Sequence, residues 1–508
     1  MKVIENLRYR ADGQGYVEPG YTHLFVVPAE GGTPRQLTSG DYHHGGPLSW
    51  SRDGSRLYFS ANRLDDWEHE PVESEVWSVD VASGALTALT GRDGPDFAPV
   101  VSPDGRRIAW LGFDDRKMGY HTTRVHVMDA DGSNKRVVNA DFDRSIDALQ
   151  WAGNSGRLYV QYDDRGMSHV GLMTLDGDID TRVSDVSGIS LGRPYTSGGF
   201  HAGGDGDFVY TRGTAYRPAD VGIAGRRGEP RQLTQLNEDL LAHRELGEVE
   251  QLTWTSSADG LEIEGWLVRP PDFDADRDYP LVLEIHGGPF AAYGPHFSVE
   301  AQLYAAAGYV VLYANPRGST SYGYDFANEI HHNYPGEDYD DLVSGVDAVL
   351  ERGYVDPDRL FVTGGSGGGV LTAWIVGKTD RFAAAVSAKP VINWTSMTGT
   401  ADISSFVSNY WFAEMPWDDP EAYWRRSPLS LVGNVTTPTM LLTGEQDFRT
   451  PISESEQFYQ ALQLRRVDTA LVRVPEASHG IAARPSHLIA KVDNVLAWFA
   501  RYGGPERE

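Results

Sequence analysis

None of the 508 residues is a cysteine. That absence excludes disulfides, iron–sulfur clusters, thiolate zinc sites and a cysteine nucleophile. Basic residues are also in short supply: 44 Lys and Arg stand against 72 Asp and Glu, a formal net charge of -28. A general nucleic-acid binder needs a basic face to neutralise phosphates, and so does a protein held on anionic lipid. Neither class fits, and the acidity is read as a solubility feature. No run of eighteen or more apolar residues occurs, which excludes a transmembrane helix. The first residues, Met1 to Gly13, hold no apolar core of the kind a secretory signal carries. A cytoplasmic address is expected, with no nucleic-acid or membrane partner.

What is abundant builds turns and strands: 56 Gly, 28 Pro, 13 Trp, 25 Tyr and 18 Phe. The length allows two or three domains. The first half is self-similar. Pro47–Ser60 and Pro99–Trp110 each read as a strand, an Asp-Gly turn (Asp53-Gly54, Asp104-Gly105) and a second strand. Weaker copies surround Asn154-Ser155-Gly156 and Asp205-Gly206. A second hairpin type alternates with the first, with turn glycines Gly32, Gly84, Gly132, Gly177 and Gly228. Two hairpins per period of about 50 residues make four strands, which is the arithmetic of a propeller blade.

The second hairpin recurs five times and the first four times, and residues 1–20 can add at most one hairpin, through Asn6–Arg10. The expected domain over residues 1–245 is therefore an all-β propeller of about five blades, incomplete or open. An open sheet edge needs cover, so a homo-oligomer is expected.

After about Gly247 the grammar changes. Tyr279–Ile285 and Tyr309–Ala314 are continuous apolar runs, the kind that fill a sheet covered on both faces. Candidate helices at Tyr339–Glu351 and Ser453–Leu464 alternate with such runs. Residues 246–508 are expected to form an α/β-hydrolase domain with a mostly parallel sheet.

The chemistry lies in this half. Leu360–Thr363 is a short strand, followed by Gly364-Gly365-Ser366-Gly367-Gly368-Gly369 and a helix-like Val370–Val376. Strand, tight turn and helix make G-x-S-x-G a nucleophile elbow. Gly188-Ile189-Ser190-Leu191-Gly192 has the same spacing but no apolar strand before it and no helix after, so Ser190 is discounted. A serine needs a base, and the base an orienting partner. Asp447 ends an apolar strand that starts at Pro438, and His479 follows the strand Leu471–Val474. The order Ser, Asp, His is that of an α/β-hydrolase.

Other polar residues read more simply. His331, His332 and His487 suit surface or packing roles. Asp338, Asp340 and Asp341 precede an apolar helix and suit a cap. Gly377-Lys378-Thr379 resembles the end of a P-loop, but Thr372 stands where its first Gly should be, so it reads as a helix terminus. No metal and no cofactor are expected. An oxyanion site should take one amide from Gly367 and another from the exit His286-Gly287-Gly288-Pro289.

A repeat-built propeller followed by His-Gly-Gly-Pro (286–289), Asn315–Gly323, the Ser366 elbow, Asp447 in Gly444–Pro451 and His479 in Ala477–Gly480 resembles the prolyl oligopeptidase family of serine peptidases. The acylaminoacyl-peptidase branch is the most similar, because its His-Gly-Gly-Pro replaces a tyrosine-bearing loop. The resemblance implies Ser366 as nucleophile, His479 as base and then acid, Asp447 as its orienter, and Gly288 and Gly367 as oxyanion donors. It also implies that Arg449 holds a substrate carbonyl and that Val391, Trp394 and Phe406 line the pocket before the cut bond. Substrates would be short peptides or acyl-peptides. Departures are a propeller smaller than in full-length relatives, no N-terminal helical segment, and no Glu pair assignable to a free substrate amine. Two other readings stay open: a carboxylesterase or amidase with the same triad, and a propeller binding protein with an inactive hydrolase domain.

Overall fold

The computed structural model describes residues 3–188, 192–204, 206–225 and 229–505. Ser190, Asp205 and Gly228, members of the second serine motif and of two repeat turns, lie outside the described residues. Among the described residues no helix is long and apolar enough to cross a membrane.

Among the described residues the repeats form four four-stranded antiparallel units, the last two joined through Val186 and Arg212 into one eight-stranded sheet. They begin at Gly45–Trp50, Asp96–Val101, Ile146–Trp151 and Phe200–Ala202. A two-stranded piece, Phe25–Val26 with Arg35–Gln36, precedes them. The two best copies of the repeat share one turn chemistry. Asp53 accepts from Ser51 Oγ at 2.7 Å, and Asp104 accepts from Ser102 Oγ at 2.6 Å. Gly54 (φ 72°) and Gly105 (φ 75°) then take the left-handed backbone that closes the hairpin. Apolar residues of neighbouring blades meet between them. Tyr58 and Val76 pack with Ile108 and Trp110, and Ala109 and Val125 pack with Ile146 and Leu158.

The hairpin expected at Asn6–Arg10 forms later, as Arg10–Ala11 with Gly15–Tyr16, and among the described residues it joins no blade. It sits instead on the α/β domain, where the Tyr16 ring meets Phe448 edge-on at 6.0 Å. Side chains decide this, since two residues per strand carry too few ladder bonds to choose a partner sheet.

The α/β domain holds one eight-stranded sheet. In spatial order its strands are Val249–Thr255, Glu262–Val268, Val310–Asn315, Tyr279–Ile285, Val355–Gly365, Ala384–Ala388, Thr439–Gly444 and Thr469–Val474. The first two pairings are antiparallel and the rest parallel. The apolar runs are buried on both faces: Leu281, Leu283 and Ile285 enter one core, while Val282, Val311 and Phe361 enter the opposite one. The two candidate helices appear as Asp338–Leu350 and Ile452–Leu464. Six parallel strands point their C-terminal ends the same way, and ligand sites of such sheets lie there.

Candidate active site

The strand Val355–Gly365 runs into the helix Gly367–Lys378, and Ser366 is the single residue between them. The helix ends at Lys378, so Gly377-Lys378-Thr379 is its terminus and not a phosphate loop. Ser366 has φ 60° and ψ -120°, a strained backbone for a residue with a Cβ. Its N–H donates to Ala388 O at 3.0 Å, and its carbonyl accepts from Val370 N at 3.0 Å. These bonds hold the strain. The flanking glycines are needed for contact: a Cβ on Gly364 would lie 2.4 Å from Gly368 O, and one on Gly368 would lie 2.1 Å from Ile285 O. The serine oxygen is thus presented at a helix N-terminus.

Asp447 and His479 come from the loops after the next strands but one and two. His479 Nδ1 and Asp447 Oδ2 are 2.8 Å apart, with the Asp447 side chain fully buried. Asp447 Oδ1 accepts the N–H groups of Arg449 at 3.0 Å and Thr450 at 2.8 Å. This arrangement places the imidazole proton on Nδ1 and leaves Nε2 free to accept one. Among the described residues no hydrogen bond joins Ser366 Oγ to His479. Such contacts often tighten only around bound substrate.

Burial pushes the His479 imidazole below its ordinary pKa, and the Lys389 cation adds to that effect, against the raising pull of Asp447 and Asp12. His479 is therefore neutral, and able to take a proton, at neutral pH. Lys389 leaves the end of strand Ala384–Ala388, and its Nζ donates to His479 O at 2.7 Å. Its own pKa is lowered to about 8, chiefly by burial.

The Gly288 backbone packs against Gly367: a Cβ on Gly367 would lie 3.1 Å from Gly288 N. Gly367 is the first helical residue, where an N–H has no partner within the helix. Gly288 holds φ 127°, which favours glycine. Neighbours fix the loop: Gly287 N donates to Tyr195 Oη at 2.7 Å, and Tyr334 Oη donates to Gly367 O at 2.8 Å. Tyr195 belongs to a propeller segment that pairs with the α/β domain through Tyr195 and Tyr293.

The remaining expected residues are divided. Arg449 is 41% exposed at its side chain and is held by Asp402 at 2.7 Å. Val391 and Trp394 are buried in the core, and Trp394 Nε1 donates to Arg426 O at 3.0 Å. Phe406 is half-buried and stacks on Tyr410 with ring centres 4.8 Å apart. His331 and His332 stack on each other at 3.8 Å and border a narrow cavity with Phe290, Tyr334 and Trp411. His487 lies in the first turn of the helix Pro485–Ala500. Sequence reasoning did not single out Lys389, Asp12, Asp402, Tyr195 or Tyr334. Lys389 had a signal, because it follows a parallel strand as Ser366 does. The other four come from distant segments and carry no local pattern.

A curated relative, uncharacterized peptidase YuxL of Bacillus subtilis (strain 168), is 33% identical over 518 residues, covering 98% of this chain and 77% of its own. The chain belongs to the prolyl oligopeptidase family. The model described as prolyl oligopeptidase family matches residues 295–506, and that for the dipeptidyl peptidase IV N-terminal region matches residues 14–117. Dipeptidyl-peptidase 5 of Porphyromonas gingivalis is 26% identical over 474 residues, covering 90% of this chain and 66% of that protein. The chain spans 57% of the Trichophyton schoenleinii dipeptidyl-peptidase 5, to which it is 28% identical. Among solved structures, Pyrococcus horikoshii acylaminoacyl peptidase superposes with a TM-score of 0.85 at 23% identity, over 100% of this chain and 78% of that one. A prolyl oligopeptidase family member is a serine peptidase, so the propeller and hydrolase halves described above are those of a peptide-hydrolysing enzyme.

Proposed function

We propose that this chain cleaves short peptides or acyl-peptides, in the manner of an acylaminoacyl-peptidase, through an acyl-enzyme on Ser366. The observation that carries the reading is a strained Ser366 elbow together with a His479–Asp447 pair at 2.8 Å, each at the C-terminal end of a parallel strand of one sheet. Ser366 Oγ attacks the scissile carbonyl carbon while its proton passes to His479 Nε2. The carbonyl oxygen becomes an oxyanion and accepts from the Gly288 and Gly367 amides. Collapse breaks the C–N bond, and His479 returns the proton to the leaving amine. Water then attacks the ester, giving its proton to His479, and the carboxylate leaves as Ser366 Oγ is reprotonated. Asp447 stabilises the imidazolium in both halves. In this reading Arg449, steadied by Asp402, takes a substrate carbonyl, and Val391, Trp394 and Phe406 shape the pocket before the cut bond.

A fluorophosphonate probe should label Ser366, and a peptide-library digest read by mass spectrometry should show short products cut after apolar residues. Faster turnover of alkanoyl esters than of acyl-amino-acid anilides would favour the esterase reading. A charged residue before the cut, or efficient cleavage of folded proteins, would count against the pocket assignment. Release of dipeptides from free N-termini would place the chain with the relatives named dipeptidyl-peptidase 5.

The same proposal includes a cytoplasmic address, supported by the absence of cysteine, and a homo-oligomer. The strand Gly45–Trp50 leaves Leu48 and Trp50 about half exposed, and at the last blade Leu233, Leu236 and Leu240 are exposed as well. Contact between copies would cover such side chains. Light scattering at micromolar concentration should give a multiple of the chain mass, and a monomer there would overturn the oligomer.

A further inference from the structure

Asp12 lies in the turn of the N-terminal hairpin, 436 residues from Phe448 and 467 from His479, yet it bonds to both. Its Oδ1 accepts the Phe448 N–H at 3.0 Å and the His479 N–H at 3.0 Å, and its Oδ2 lies 3.1 Å from the same His479 nitrogen. Phe448 is the neighbour of Asp447. One carboxylate therefore spans the two loops that carry Asp447 and His479.

Nearer the strands those loops are joined by backbone bonds, Glu445 N to Val474 O at 3.0 Å and Gln446 N to Ala477 O at 2.9 Å. At the reactive ends Asp12 supplies the backbone link. The hairpin that carries it is firmly seated. The Arg10 guanidinium covers the Phe448 ring at 5.2 Å and bonds to Thr400 O, and Ala11 is buried. Asp12 N donates to Asp402 Oδ2 at 2.8 Å, Asp402 N donates to Phe448 O at 2.9 Å, and Asp402 Oδ1 holds Arg449 at 2.7 Å. The network thus runs from the hairpin through both loops to Arg449.

We propose that Asp12 is a positioning residue for catalysis, locking the two loops in the register at which His479 meets both Asp447 and Ser366. This rests on the triad reading above. A misplacement of about 1 Å in such a group is enough to cost about 100-fold in rate. The Asp12 and Asp447 charges both favour the His479 imidazolium, while the Lys389 cation opposes it.

Two variants of the full chain separate the roles. Both main bonds converge on Oδ1, so Asp12→Asn keeps them with its amide oxygen and removes the charge together with the longer Oδ2 contact to His479 N at 3.1 Å. Asp12→Ala removes both. Asp12→Ala should lower kcat by about 30- to 100-fold with KM for an acyl-amino-acid anilide within about threefold. Asp12→Asn should recover kcat to within about fivefold of the parent. Its kcat/KM acid limb should move to lower pH, because losing a negative neighbour weakens the imidazolium and keeps His479 neutral further down. A kcat within about threefold of the parent in folded Asp12→Ala would overturn the proposal. So would an Asp12→Asn protein as impaired as a folded Asp12→Ala. If Asp12→Ala does not fold, by circular dichroism, Asp12→Asn decides alone: near-parent kcat with a lowered acid limb supports the proposal, and an unmoved limb overturns it. Fluorophosphonate labelling of the parent keeps the two readings apart, since loss of the label at Ser366 defeats the triad and not the clamp.

Discussion

Replacing Ser366 with alanine is expected to lower kcat by about 10^4- to 10^6-fold, the usual range when a triad nucleophile is removed. The fold should survive, because Ser366 Oγ makes no hydrogen bond among the described residues. Alanine keeps the Cβ and therefore the same strain at φ 60°. The backbone bonds to Ala388 and Val370 are independent of the side chain. Anilide turnover and a thermal melt measure both halves of this expectation. A folded Ser366→Ala protein with near-parent turnover would reject Ser366 as the nucleophile. Ser190→Ala, the motif without an elbow context, should remain active.

Asp447→Asn should cost about 10^3- to 10^4-fold in kcat, and its geometry says why. Oδ1 accepts two backbone N–H groups, from Arg449 and Thr450, so an asparagine keeps its oxygen there. Its NH2 then occupies the Oδ2 position, 2.8 Å from His479 Nδ1. An N–H donor facing Nδ1 makes that nitrogen the acceptor and moves the imidazole proton to Nε2. His479 can then no longer take the Ser366 proton. The fold should change little, since the buried site stays hydrogen-bonded. A loss of less than about tenfold would show that Asp447 does not set the tautomer.

The parts of the site legible in the sequence are those held by short-range pattern. The Ser366 turn needs a strand before it, a helix after it and glycines at 364 and 368, and all of these lie within about twenty residues. The strand exits at Gly444 and Val474 mark Asp447 and His479 by the same logic, since a buried parallel strand must be an apolar run. Asp-Gly turns at a constant period mark the blades. The N-terminal hairpin was harder. Its strands of two residues carry almost no periodic signal, and it was expected among the blades. Its place depends on Arg10, Asp12 and Tyr16 finding Thr400, Phe448 and His479.

Trp394 makes the same point from the other side. As an aromatic after the nucleophile helix it suits a pocket wall, and its burial to 1% exposure, with the indole N–H bonded to Arg426 O, is set by segments distant in sequence. Exposure depends on which segments fold over a side chain, and no local pattern encodes that. The sequence by itself determined the two-part architecture, the elbow and the order of Ser366, Asp447 and His479, because hydrophobic periodicity and turn chemistry act over a few residues. Only the tertiary structure decided that Lys389 lies against His479, that Tyr195 of the propeller holds the Gly287 amide, and that Asp12 joins the loops of Asp447 and His479. Those contacts are made by single polar groups across 90 to 467 residues of chain, where the partner is chosen by the packing of whole domains.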